Sequence, residues 1–151
     1  MGKKVELNNV EIFNVVQGCN MIQKNFDLIT SLDFKVTKIN KTLSPHVEDY
    51  QEKVESLKKK FAKKDEDGTM VTEKDENDRE IIVFQEAEGE EKSGKEKFEE
   101  EVKKLEDEKI EVHLPTILKF DDFVDENGKY LKFKEKGLGG VTYMIDPIVE
   151  L

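Results

Sequence analysis

The chain reads as a helix-dominated α+β protein: an antiparallel helical pair, a third helix and short β-hairpins. Two apolar stripes and a set of turn sequences predict it. The longer stripe, Leu32, Val36, Ile39, Leu43, Val47, Tyr50, Val54, Leu57 and Phe61, advances in steps of three and four, so all nine side chains share one face of a long helix. The residues between them are mostly Lys, Glu, Asp, Thr and Ser, so the opposite face is solvated and the stripe needs a cover. Ile12, Val15 or Val16, Cys19, Ile22, Phe26 and Ile29 form a second stripe that can supply it.

In chain order, a short extended lead precedes a first helix within residues 5–31. Asn8 and Glu11 have the spacing of a capping box. Thr30 to Asp33 make the break, with Ser31 or Asp33 able to cap the second helix. Pro45 interrupts the long stripe at a cost of about 3 kcal/mol in a regular helix, so it either kinks the helix or restarts it with Ser44 as cap. The helix stops near Lys64, ahead of the turn Asp65-Glu66-Asp67-Gly68. Thr69–Thr72 and Ile81–Phe84 read as a hairpin, and residues 85–95 as a mobile acidic linker almost without apolar content. Ser93 and Glu96 open a third helix whose apolar face is Phe98, Val102 and Leu105. Ile110, Val112 and Leu114 alternate as a strand that Pro115 confines to a sheet edge. A second hairpin turn, Asp125 to Gly128, precedes Tyr130–Phe133, and the terminal VTYMIDPIVEL is apolar enough to dock on the core. The length of 151 residues fits a single domain spanning 1–151.

The formal charge of −10 is concentrated in the middle of the chain. Residues 1–62 carry 10 basic and 8 acidic groups, residues 63–111 carry 10 and 20, and residues 112–151 carry 5 and 7. Such a middle is a poor partner for a nucleic-acid backbone, which is bound by Lys and Arg. The lone Cys19 cannot form an intramolecular disulfide, and no apolar run approaches the length of a membrane span or forms the core of a signal peptide. The expectation is a soluble intracellular protein. Gly2 invites a myristoylation reading, but Glu6 stands where that motif wants Ser or Thr.

Motifs for chemistry are missing. Aligning Gly68 or Gly128 with the sixth position of a calcium loop puts Lys63 or Phe123 at the first ligand position and Lys74 or Lys134 at the twelfth, so neither is an EF-hand. His46, His113 and Cys19 are too few for a structural zinc site. His113 should point away from the face of Val112 and Leu114, and Cys19 within the first stripe is expected to be a buried, unreactive thiol. Gly137 to Gly140 lack the Lys-Ser of a phosphate loop. No catalytic residue, cofactor or metal is expected.

In its order of features the chain resembles a group of small tailed-bacteriophage proteins of unknown function. The resemblance rests on Val5, Leu7 and Asn8 in the lead, Lys59–Gly68 at the end of the second helix, Phe98–Glu101 with Leu105, the strand Ile110–Leu114 and the segment Met144–Glu150. The sequence departs from that pattern at 85–95, at 134–142 and at Pro45. The resemblance implies a viral origin and carries over no functional residues.

Residue patterns and resemblance together give the expectation of a non-enzymatic phage accessory protein. It would act in the host cytoplasm or on the virion by binding another protein, phage or host, in assembly or host-factor modulation. The alternative is an acidic inhibitor that mimics nucleic acid with residues 63–111; against it, Glu99 with Lys103 and Glu100 with Lys104 have the spacing of ion pairs on a solvated helix face. Direct binding to nucleic acid or membrane is not expected, and monomer and homo-oligomer are both open. The candidate interaction surface is Val54, Leu57 and Phe61 with Glu99, Glu100 and Glu101. The long stripe spans about 44 Å and the first helix only about 34 Å at about 1.5 Å per residue, so Val54, Leu57 and Phe61 need the third helix, the hairpin or another chain to cover them.

Overall fold

The computed structural model describes residues 2–89, 91–125 and 127–150, and the backbone alone of Lys136. It is a helix-dominated α+β protein. The chain divides into two compact units, Met1–Glu48 with Glu108–Leu151, and Asp49–Asp107.

The first unit opens with strand β1 (Lys3–Asn8), which runs into helix α1 (Asn9–Asn25). The junction is the expected capping box: Glu11 N–H donates to Asn8 Oδ1 (2.8 Å) and Asn8 N–H to Glu11 Oε1 (3.0 Å). α1 ends six residues short of Ser31, because Phe26 turns to extended backbone (φ −132°, ψ 145°). Its ring packs edge-on against Phe133 at 5.2 Å, a tertiary contact that overrides the helical period.

Helix α2 (Thr30–Phe61) starts earlier than either expected cap. Asp33 is spent elsewhere: its Oδ1 accepts from Gln23 Nε2 (3.0 Å), which also donates to Thr37 Oγ1 (2.9 Å). With Asn40 Nδ2 donating to Asn20 Oδ1 (3.0 Å), these bonds fix an antiparallel α1–α2 pair. The seam between them contains Ile12, Val15, Cys19 and Ile22 against Leu32, Val36, Ile39 and Leu43, all essentially inaccessible. α2 does not split at Pro45, which lies inside it and is exposed.

Strand β4 (Lys109–Leu114) pairs antiparallel with β1, Val5 opposite Val112 and Leu7 opposite Ile110. No other strand joins them among the described residues, which fits the exclusion of Pro115 from a sheet interior. Leu7, Val112 and Leu114 face the core, while His113 is exposed on the far face beside Glu111 (3.6 Å). The end of the chain docks as expected: Val141, Ile145 and Ile148 are buried. Strand β6 (Val149–Glu150) pairs in parallel with β5 (Leu118–Lys119), and helix α4 (Val141–Ile145) precedes it.

The second unit holds the rest of α2, strands β2 (Thr72–Lys74) and β3 (Glu80–Ile82), and helix α3 (Gly94–Asp107). Ser93 caps α3, its Oγ accepting from Glu96 N–H at 3.3 Å. α3 lies antiparallel along α2, since a Cβ at Gly94 would meet Phe61 O at 2.5 Å while Tyr50 OH donates to Glu106 Oε1 at 3.3 Å. The ends of segment 85–93 are tied by Gly94 N–H donating to Gln85 O (2.7 Å). Beyond the end of α2 the backbones of three segments bond in a ring: Lys63 N–H to Val83 O (2.8 Å), Val83 N–H to Val71 O (2.9 Å) and Val71 N–H to Lys63 O (2.8 Å).

One turn is built three times. In Asp65–Thr69, Asp75–Arg79 and Asp125–Lys129, the first Asp donates its N–H to the fifth residue's carbonyl and accepts two later amides on its own Oδ1. The fourth residue has positive φ each time: Gly68 (79°), Asp78 (61°) and Gly128 (76°). The middle turn is therefore the strained one, since a Cβ disfavours this region by about 1–2 kcal/mol. Asp78 recovers little through its exposed ion pair to Lys74 (3.4 Å). Asp78→Gly should raise stability by about 0.5–1 kcal/mol in urea denaturation; a loss of stability would show that the Lys74 pair outweighs the strain.

Candidate functional site

The segment 118–133 and the closing residues 141–149 together enclose a pocket of about 280 Å³ in the first unit. Its wall is Phe120, Phe123, Tyr130, Leu131, Phe133, Ile145 and Val149, with Thr142 and Asp146 as its polar members. Local bonds set each wall. Lys119 N–H donates to Asp122 Oδ2 (2.7 Å), closing the short turn that presents Phe120, and Lys35 Nζ holds the same carboxylate at 3.1 Å. The Asp125 turn then folds the chain back so that Leu131 N–H donates to Phe123 O (2.9 Å). This places Phe120 beside Tyr130 (5.1 Å between centroids) and Phe123 beside Phe133 (6.1 Å).

The wall that includes Ile145 rests on α1. At Gly18 of α1 a Cβ would meet Ile145 Cγ2 at 2.7 Å and Met144 Cβ at 3.1 Å, so glycine lets α4 sit against α1. Thr142 Oγ1 donates to Gly139 O (3.1 Å), and Asp146 opens the short 3-10 turn with Pro147 that leads into β6. Phe120 and Tyr130 remain 54% and 51% exposed, a cost in apolar hydration at the mouth of an already apolar cavity. Tyr130 OH donates to Asp121 Oδ1 (2.9 Å), and that hydrogen bond, with the carboxylate's charge, raises the phenol above its ordinary value.

The residues singled out in the sequence lie in the second unit. Val54, Leu57 and Phe61 are half-buried on the side of α2 that α3 lies along, and α3 turns Phe98, Glu101, Val102 and Leu105 to its half-buried face. Glu99 and Glu100 are exposed on the other side, so of the three acidic residues only Glu101 shares the face of the apolar ones. The expected Glu99–Lys103 and Glu100–Lys104 pairs are replaced, among the described residues, by Lys104 with Glu101 (3.1 Å) and by a short contact of Lys92 with Glu100. Lys92 holds Glu100 below the usual carboxylate range. Phe84 packs against Phe98 with the rings tilted by 33° and their centroids 5.1 Å apart.

The pocket was not among the residues singled out from the sequence. Its one trace there is density: Phe120, Phe123, Tyr130 and Phe133 are four of the chain's twelve aromatic residues, in fourteen positions. Among the described residues, no group of three His, Cys, Asp or Glu could hold a metal ion, and no helix is long and apolar enough to cross a membrane. Comparison with family models, curated proteins and solved structures finds no match.

Cys19 lies in the α1–α2 seam, where burial pushes its thiol up to about 12. The neutral thiol is thus favoured in the folded state, so its contribution is complete below the unfolded thiol's value, about 8.5, and is lost as pH rises toward 12. Relative to Cys19→Ala, the native chain should lose up to about 1.4 kcal/mol per pH unit above that value. Parallel pH-stability curves for the two would contradict the buried thiol.

Proposed function

We propose that this chain is a non-enzymatic accessory protein that works by binding another protein through the aromatic pocket of its first unit. One observation carries the reading: two half-exposed rings, Phe120 and Tyr130, flank a preformed apolar cavity, where desolvation on binding is most favourable. The resemblance to small phage proteins supports a viral origin and a host-cytoplasmic or virion-associated setting. On this reading the surface nominated from sequence on α2 and α3 is chiefly the second unit's own packing, since Val54, Leu57 and Phe61 are partly covered along α3.

The acidic-mimic alternative has less support. Glu100 and Glu101 are engaged by Lys92 and Lys104, so part of the negative field is neutralised where the mimic would need it.

Capture from infected cells tests both readings with three baits: the native chain, Phe120→Ala with Tyr130→Ala, and Glu99, Glu100 and Glu101 each changed to Gln. The native chain and the glutamine variant should recover the same stoichiometric partner, and the aromatic variant at least tenfold less. Equal recovery by the aromatic variant would overturn the pocket as the interface. Loss with the glutamine variant alone would favour the mimic.

A further inference from the structure

We infer that the occupant of the aromatic pocket is an arginine side chain of the partner; this rests on the binding role proposed above and adds its chemistry. Among the described residues the lining includes a single charged side chain, Asp146, and none forms an ion pair with it. A carboxylate at the edge of four aromatic side chains complements a cation with an apolar stem. The negative charge extends along the rim, where Asp121 accepts from Tyr130 and so turns a second carboxylate toward the exposed phenol. The cavity of about 280 Å³ is just smaller than the range of about 300–1,000 Å³ for small-molecule sites, and suits one long side chain.

Arginine fits better than lysine for a geometric reason. Its planar guanidinium can stack on an aromatic face and present two N–H groups to one carboxylate, whereas an ammonium is a compact, strongly hydrated charge. Phe120 and Tyr130, 5.1 Å apart and half-exposed, offer the ring surface, and Asp146 the acceptor. Residues 112–151, which supply the pocket, carry 7 acidic and 5 basic groups, so the attraction for a basic segment is local and comes from Asp146 and Asp121.

Titration of the full chain with the blocked peptide Ac-Ala-Arg-Ala-NH2, followed by amide NMR, tests the assignment. Saturable shifts should appear at Phe120, Tyr130, Thr142 and Asp146. The citrulline peptide, equal in shape but neutral, should bind at least tenfold more weakly, as should the arginine peptide to Asp146→Asn, whose spectrum reports whether the fold is kept. Equal affinity for the citrulline peptide, or undiminished affinity in a folded Asp146→Asn chain, would overturn the assignment. The two failures are separable. A neutral peptide that binds as well, with partner capture still dependent on Phe120 and Tyr130, leaves the binding role and removes the arginine. Partner capture that ignores those rings, with the charge-dependent peptide binding intact, removes the role and leaves the cation site.

Discussion

The apolar seam between α1 and α2 is the constraint on which the first unit depends. Ile12, Val15, Cys19 and Ile22 are closed off by Leu32, Val36, Ile39 and Leu43, and each side chain of this size contributes roughly 1.5–3 kcal/mol on leaving water. Two further layers are laid on that platform. β1 and β4 add Leu7, Val112 and Leu114 to the same core, and the closing segment adds Val141, Ile145 and Ile148. Because a protein interior is packed as densely as a crystal, the seat of α4 is set by the shape beneath it. Where Ile145 and Met144 meet α1, that shape includes the missing side chain of Gly18.

The second unit is held differently. Among its described residues only Ala62 and Gly94 are fully buried, and its larger apolar side chains are half-covered, except Ile81, which is exposed. Its order comes from backbone bonding: the ring through Lys63, Val71 and Val83, the Asp-initiated turns, and the close approach of Gly94 to Phe61 O. A chain with 40% charged residues has few apolar groups to spare, and they are concentrated in the first unit's core. Backbone hydrogen bonds, each worth only about 0.5–1.5 kcal/mol net, then do much of the ordering in the second.

What the sequence made legible follows from the range of each interaction. The paired stripes, the Asn8–Glu11 box, the Ser93 cap, the hairpin turns and the edge position forced by Pro115 are local signals, and each appears in the structure. Helix ends were less legible, because Phe26 leaves its stripe for Phe133, a residue more than a hundred positions away. The third copy of the Asp-initiated turn was hidden because Asp78 occupies a position where the other two show glycine. The pocket was hidden for the same reason as Phe26: its walls come from a hairpin, a short helix and a terminal strand that meet only after folding. Pro45 marked a real change along α2, since full burial stops at Leu43, yet the helix runs through it.

The pocket wall that includes Ile145 depends on the absence of a side chain at Gly18. The most direct test of that dependence is Gly18→Ala, followed by urea denaturation and amide NMR. On an open helix face this change would stabilise by roughly 0.8–1 kcal/mol through helix propensity. Here the added Cβ would press on Ile145 Cγ2 at 2.7 Å, and overpacking of that kind costs about 1–3 kcal/mol. A net loss of stability is expected, with resonances of Thr142, Ile145 and Asp146 displaced. A gain in stability with those resonances unmoved would contradict it.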